Sequence, residues 1–516
     1  MMQRIALISL LAFLISATDG RAQNPQADSP DALRSAYDYA QNLESQGKHF
    51  DAAVNYFNVY TADGVLRNTA LVRLTGSLLK LRLHNAAVYF FLKVLQTGDR
   101  NAIQTVLTHL PEMIDRVGGD VLRPYVLRHT NDADYDAQTR NHFYYFLGKD
   151  ALLKGDPKRA LQYLARVASG SGILAQSMYL RGSAFAMVGD LDSSVQSFIQ
   201  CRRIADRADG VRGALRREFE DLHARCIAGQ ARSLYQAGKY SEAEEAYDDI
   251  PKAAFVWTDV LFEQAWSAFA KGDYNRALGK LVTYRSPALG FVFNPEVEVL
   301  RAQSFFALCH YDDVNRTVND FNRRFGGVGN EVKKFLLAND GNLAGFFKTA
   351  KQAHATKLHT SSGFYRVLNR FVRGPYFSSL VAAERETARE IYRVRSVAKG
   401  PRAKFGRFLE DVLNWRLKSI RLVGGLFVKN ATADIYRDLL SNLDKMSFIK
   451  LEMLKYAKGR LERTQTMSAD DDGVMKRGMA DIDRKDYQYF WTFNGEFWAD
   501  ELGDYVFALE SLCSRN

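Results

Sequence analysis

Two stretches decide the fold: YYFLGKDALLKGDPKRALQYLARV at positions 144–167 and MYLRGSAFAMVGDLDSSVQSFIQC at positions 178–201. Laid over one another they pair Gly148 with Gly182 and Gly155 with Gly189, a step of 34 residues. Within them Tyr144, Leu147 and Ala151, then Ala160, Leu164 and Val167, recur three and four apart, as do Met178, Gly182 and Phe185. That spacing puts one apolar stripe on each of two helices. The Gly-Asp pairs Gly155-Asp156 and Gly189-Asp190 supply the turn between them. The pattern returns as Ile227, Ala231, Leu234, Gly238, Tyr240, Ala243 and Tyr247, and 34 residues on as Leu261, Ala265, Ala268, Gly272, Tyr274, Ala277 and Leu281. One helical pair cannot bury its stripe alone, so neighbours must stack.

On these residues the chain resembles the tetratricopeptide repeat family. The small residue of the first helix stands at Gly148, Gly182, Ala231, Ala265 and Ala302, and that of the second at Ala53, Ala87, Ala160, Ala243 and Ala277. Ser194 and Val314 replace the second-helix alanine, and the large aromatic early in the first helix is mostly missing. The likeness spans residues 31–325 and is strongest over 140–285; the units before Thr97 are loose in register, and 101–136 reads as helical but off the pattern. It implies an all-α fold, a right-handed superhelix (α-solenoid) followed by a C-terminal helical domain. It also implies that first helices line a concave groove that binds protein or peptide segments. In that register the groove-facing residues are Tyr145, Tyr179, Arg225, Arg232, Tyr235, Phe262, Trp266, Phe269 and Phe306. Aromatic and arginine side chains are enriched at protein interfaces, because rigid rings desolvate cheaply and guanidinium forks pair with carboxylates. The competing reading is that many of these residues pack between adjacent first helices or under the C-terminal region.

Gly326-Gly327-Val328-Gly329 closes the repeats and marks a junction. No strand precedes it and no Gly-Lys-Ser/Thr follows, so a phosphate loop is not expected. From Arg323 to Arg463 there are 29 Lys and Arg against 12 Asp and Glu, a larger excess than the +11 of the whole chain. Leu380 to Ala398 and Phe405 to Val428 keep helical apolar spacing, so 330–465 reads as a basic helical domain. Residues 466–516 reverse the sign, with Asp470-Asp471-Asp472 and a dense aromatic and acidic run from Tyr489 to Tyr505. This end is expected either to fold back on the basic helices or repeats, or to leave a basic surface for an acidic partner: a protein, an anionic lipid head group or an anionic cell-wall polymer. Charge alone also permits nucleic acid, but no recognition fold is visible and none is expected as partner. The run 489–505 and the stretch 438–455 are similar to segments of large periplasmic tetratricopeptide-repeat proteins of predatory and gliding bacteria, which implies an envelope scaffold and no activity.

The 516 residues are 47% apolar and 25% charged, too apolar for a disordered tail. Arg4, the apolar run Ile5–Ile15 and Gly20-Arg21-Ala22 have the layout of a secretory signal spanning 1–22, with no cysteine for a lipid anchor. After it no apolar stretch of about 18 residues would span a membrane. The mature chain is therefore expected to be exported, soluble and periplasmic. Cys201, Cys226, Cys309 and Cys513 are far apart, which argues against a disulfide scaffold or a zinc site; a Cys201–Cys226 bridge is conceivable, with buried free thiols the preferred reading. The nine histidines form no zinc spacing. Glu496, Asp500, Glu501 and Asp504 could be imagined as paired carboxylates for glycoside hydrolysis, but no accompanying pattern supports catalysis. The expectation is thus a non-enzymatic exported scaffold or adaptor, without cofactor or metal, that binds protein or peptide in the cell envelope. The alternatives are a cell-wall enzyme or regulatory subunit acting on peptidoglycan, and a binder of anionic polymer or membrane through the basic region.

Overall fold

Each repeat turn is made by a residue in the left-handed region. Gly155, Gly238 and Gly272 have φ of 78°, 75° and 80°. The N–H of the following residue then reaches back five positions: Asp156 to the Ala151 carbonyl at 2.9 Å, and Lys239 to Leu234 and Asp273 to Ala268 at 3.0 Å. This is the helix stop in which a left-handed residue lets the chain satisfy carbonyls the helix leaves open. Asp156 and Asp273 also start the next helix, each accepting the N–H three residues on, of Arg159 and Arg276, at 3.0 Å. The Gly-Asp pair read from the sequence therefore ends one helix and caps the next.

The computed structural model describes residues 29–62, 64–206, 214–356, 362–466, 480–491 and 495–513. The expected signal segment 1–22, Asp470-Asp471-Asp472 and Thr492-Phe493-Asn494 lie outside the described residues. The fold is an all-α repeat fold built of helical pairs, divided into two units. The first takes residues up to Asp190 together with Val381–Ile420; the second takes Leu191–Leu380 and the residues from Arg421 on. The basic stretch 330–465 contributes to both.

In the first unit the pairs are α1 (Pro30–Ser45) with α2 (His49–Thr61), and α3 (Arg67–Lys80) with α4 (His84–Gln96). The off-pattern stretch that follows is three short helices, α5 (Arg100–Leu107), α6 (Leu110–Val117) and α7 (Gly119–His129). Next come α8 (Arg140–Leu153) with α9 (Pro157–Leu164), and α10 (Leu174–Val188). The second unit continues with α11 (Leu191–Asp206), α12 (Ala214–Gln236), α13 (Tyr240–Asp248), α14 (Trp257–Ala270), α15 (Tyr274–Val282), α16 (Glu296–Ala307) and α17 (Tyr311–Phe325). Then follow α18 (Val328–Ala338), α19 (Leu343–Ala355), α20 (Gly363–Val372), α21 (Pro375–Val397) and α22 (Ala403–Thr466).

The small residues do what the pattern requires. Ala53, Ala87, Ala160, Ala231, Ala243, Ala265, Ala277 and Ala302 are all fully buried. A Cβ at Gly148 would run into Leu164 of α9, so the missing side chain is what lets the two helices close. Ser194 and Val314, which depart from alanine, are equally buried, and the Ser194 hydroxyl pairs with that of Ser233 at 2.8 Å.

The long C-terminal helices complete the core of each unit. In the first, Phe405 and Phe408 of α22 each lie 4.9 Å from the Phe57 ring of α2. There Glu390 of α21, fully buried, accepts the Asn85 and Ala86 N–H groups at the start of α4 at 2.9 and 3.1 Å. In the second, Leu439, Met446, Ile449 and Met453 put one seam of α22 into a core with Phe321 and Phe325. Gly425 of α22 lies so close to α19 that a Cβ would meet the Leu343 carbonyl.

The four cysteines correct the expectation of free thiols: Cys201 is bonded to Cys226 and Cys309 to Cys513, and none is free. Side-by-side packing of α11 and α12 brings the first pair of Cα atoms to 5.9 Å, and the C-terminal segment brings Cys513 to 5.2 Å from Cys309. Both separations lie within the range a bridge requires.

Candidate functional site

The nine residues expected to face a groove fall into separate groups. Tyr145 and Tyr179 belong to the first unit, where both half-bury against a small core of Ala151, Ala160, Leu164 and Leu180. The other seven belong to the second unit.

Three of those seven share one task. Tyr235 meets Tyr240 at 5.2 Å, Phe269 meets Tyr274 at 5.2 Å, and Phe306 meets Tyr311 at 5.8 Å. In each case an aromatic near the end of a first helix packs on the aromatic that opens the second. The pair staples the turn, and each ring remains half-buried. Phe306 also meets Tyr456 of α22 at 5.6 Å. These rings thus pack on their own second helices, and Phe306 also on the C-terminal helix.

Four residues are placed differently. Phe262 and Trp266 are one turn apart on α14, with ring centroids 6.4 Å apart, and Trp266 continues to Phe269 at 5.5 Å. All three are half-buried along the core of α12–α14, so the rings form a continuous apolar ridge. One repeat earlier, at the position of Trp266, α12 carries Arg232. Its guanidinium forms a two-pronged pair with Glu263 of α14, both N–H···O distances 2.8 Å, and the Tyr247 hydroxyl donates to the same carboxylate at 3.0 Å. Arg225, two turns back on the same face of α12, pairs with Asp221 of its own helix. An exposed arginine thus stands beside a half-exposed aromatic ridge, an arrangement suited to a partner that offers apolar side chains and a carboxylate or carbonyl.

No family model matches the sequence. No curated protein matches it either. Among solved structures the chain is similar to a tetratricopeptide repeat protein from Parabacteroides merdae, at 12% identity and a TM-score of 0.24, over 57% of this chain and 93% of that one. It is also similar to the apo form of RapI, at 10% identity and a TM-score of 0.32, over 75% and 97%. A third likeness is to the Rap conjugation gene regulator of plasmid pLS20 in complex with the Phr* peptide, at 13% identity and a TM-score of 0.28, over 69% and 96%. At such TM-scores these likenesses carry no further argument.

The acidic end folds onto the repeats of the second unit. The two-residue strands β1 (Tyr489–Phe490) and β2 (Tyr505–Val506) pair in parallel, and Trp491, Phe497 and Tyr505 cluster at 4.7–6.1 Å. Asp504 takes Lys252 at 2.7 Å, while Lys485 and the Tyr487 hydroxyl reach Asp248 at 3.3 and 2.7 Å. Asp504, imagined above as half of a carboxylate pair, is therefore tied to a lysine. Asp248 also faces the buried Lys280 at 3.6 Å. Burial opposes its charge, yet Lys280 and its hydrogen-bond donors hold the carboxyl below its ordinary range.

Sequence reasoning passed over Glu263, Asn275, Gly279 and the buried carboxylate Glu298. Glu298 is held by Arg324, Arg301 and Arg285 at 2.6, 3.2 and 3.4 Å. Only Gly279 had a legible signal: a lone glycine inside a helical stripe marks a close approach.

Proposed function

We propose that this chain is a protein- or peptide-binding scaffold, with its partner face on the first helices α12 and α14. The ridge Phe262–Trp266–Phe269 would take apolar side chains, and Arg232 would take a carboxylate or main-chain carbonyl. The observation that carries this reading is the position of Trp266: unlike Tyr235, Phe269 and Phe306 it staples no turn, yet it stays half-exposed in a row of rings. Large half-exposed aromatics beside an arginine mark the energetic centres of protein interfaces. Arg225, two turns back on the same face of α12, would stand at its margin.

Export to an oxidising envelope compartment, the periplasm, is part of the same proposal. Its support is the signal-like N-terminal sequence and the pairing of all four cysteines, which persists where thiols are not kept reduced. The proposed role there is to hold components of an envelope assembly together.

Selection of displayed peptides on the purified chain tests the binding face. The reading expects a consensus of apolar residues beside an acidic one, whose binding falls at least tenfold in Trp266→Ala. Peptides that bind Trp266→Ala and the parent equally would place the face elsewhere.

A further inference from the structure

The end of the chain meets α15 in a way that packing alone does not demand. Asn275, Gly279 and Thr283 stand four residues apart on one face of α15 and the short turn of helix that extends it. Each meets main chain rather than side chain. The Asn275 side chain accepts the Leu509 N–H at 2.8 Å and donates to the Leu509 carbonyl at 3.0 Å, while its own carbonyl takes the Phe507 N–H at 3.1 Å. A Cβ at Gly279 would collide with the Tyr505 carbonyl, so glycine is what lets the strand lie on the helix. Thr283 Oγ1 accepts the Gly503 N–H at 3.1 Å. Beyond the helix, the Leu308 carbonyl accepts the Leu512 N–H at 3.0 Å.

A stripe that reads amides and carbonyls is undiscriminating: it holds an extended segment largely whatever its side chains are. Preference for the chain's own residues comes instead from sulfur. Cys309 has φ of 59° in the turn where Gly155, Gly238 and Gly272 sit in the other repeats. A side chain in that conformation is disfavoured, and the turn itself does not need one. Its partner Cys513 is exposed, whereas Cys201 and Cys226 are fully buried. Of the two bridges, Cys309–Cys513 is the one a dithiol can reach.

We propose that the Asn275–Gly279–Thr283 stripe is a binding channel for an extended peptide. It is filled by the chain's own residues 502–512 while Cys309–Cys513 is closed, and opened to a partner's segment when a dithiol reduces that bond. In the exchange one reductant thiolate bonds to one cysteine sulfur and expels the other. The second reductant thiolate then displaces the first cysteine. The dithiol leaves as its disulfide, and its two protons end on the Cys309 and Cys513 thiols. Because the stripe reads main chain, the occupant is an extended segment with glycine at the one place that discriminates, where Gly503 lies against Trp257 and Leu261. This channel lies on a second helix and does not depend on the first-helix face proposed above.

The test uses the full chain and two probes. Hydrogen exchange at the amides of Gly503, Phe507, Leu509 and Leu512 is followed with and without dithiothreitol, and in Cys513→Ser. A labelled peptide of residues 499–512, ADELGDYVFALESL, is titrated against the oxidised chain and against a Cys513→Ser chain whose own segment is unseated by Phe507→Pro, which removes one bonding N–H. The expected result is at least tenfold faster exchange on reduction, no peptide binding by the oxidised chain, saturable binding by the unlatched chain, and at least tenfold weaker binding when Asn275→Ala is added. Amides that stay equally protected after reduction of Cys309–Cys513 would overturn the latch. Absence of binding by the unlatched chain, or binding unaffected by Asn275→Ala, would overturn the channel.

Discussion

The Arg232 guanidinium on α12 and the Glu263 carboxylate on α14 are joined by two N–H···O bonds of 2.8 Å, so adjacent first helices are cross-braced on the face proposed for partners. Both side chains keep solvent contact, at 47% and 29% of full exposure. A pair this wet contributes no more than about 1 kcal/mol to folding. Arg232→Ala is therefore expected to lower unfolding free energy by that amount or less in a denaturant titration. A loss of 3 kcal/mol or more would make Arg232 a structural clamp and withdraw it from the partner face.

Glycines at helix contacts give a graded expectation. A Cβ at Gly148 meets the side chain of Leu164, which can shift; one at Gly425 meets the Leu343 main chain, which cannot. Overpacking costs about 1–3 kcal/mol. Gly148→Ala is expected near the low end of that range and Gly425→Ala at or above the high end, read from denaturation midpoints. The reverse order would mean that α22 and α19 can slide apart without loss.

Glu390 sets a pH dependence. Burial pushes its carboxyl up from the ordinary 4.5 to about 7, against the pull of the Asn85 and Ala86 N–H bonds and of Arg393. A carboxyl raised in the folded state contributes stability that is complete below its unfolded value and is lost as pH rises through the folded one. Between pH 4.5 and 7 the first unit should lose about 3 kcal/mol from this group, and Glu390→Gln should remove that slope. Parallel stability–pH curves for the parent and Glu390→Gln would show that the carboxylate is already charged at pH 5.

Much of the fold was legible because repetition amplifies weak signals. Gly155, Gly189, Gly238 and Gly272 each say little alone, but at steps of 34 and 49 residues they fix turn, helix stop and register together. The three helices α5–α7 break that period and had no register to read. Cys309 concealed a repeat turn because a cysteine carries no turn signal, and its bond to Cys513 spans 204 residues, a separation no local pattern encodes. The candidate site was legible in kind and blurred in detail. Tyr235, Phe269 and Phe306 share the groove-facing register with Trp266, yet their half-buried rings pack across turns. Whether Tyr240, Tyr274 and Tyr311 would reach them depends on turn geometry that sequence spacing alone does not give. Asn275 could not be found at all, since its partner is the main chain of a segment more than 200 residues away.

The claim that α12 and α14 carry the partner face is tested most directly by site-specific photo-cross-linking in cells that produce the full chain. A photoreactive phenylalanine analogue is placed at Trp266, at Phe262, and as a control at Leu337, which is exposed on α18. The account predicts discrete adducts from Trp266 and Phe262, weakened by Arg232→Glu, and none from Leu337. Adducts of equal yield from all three positions, or from Leu337 alone, would contradict it.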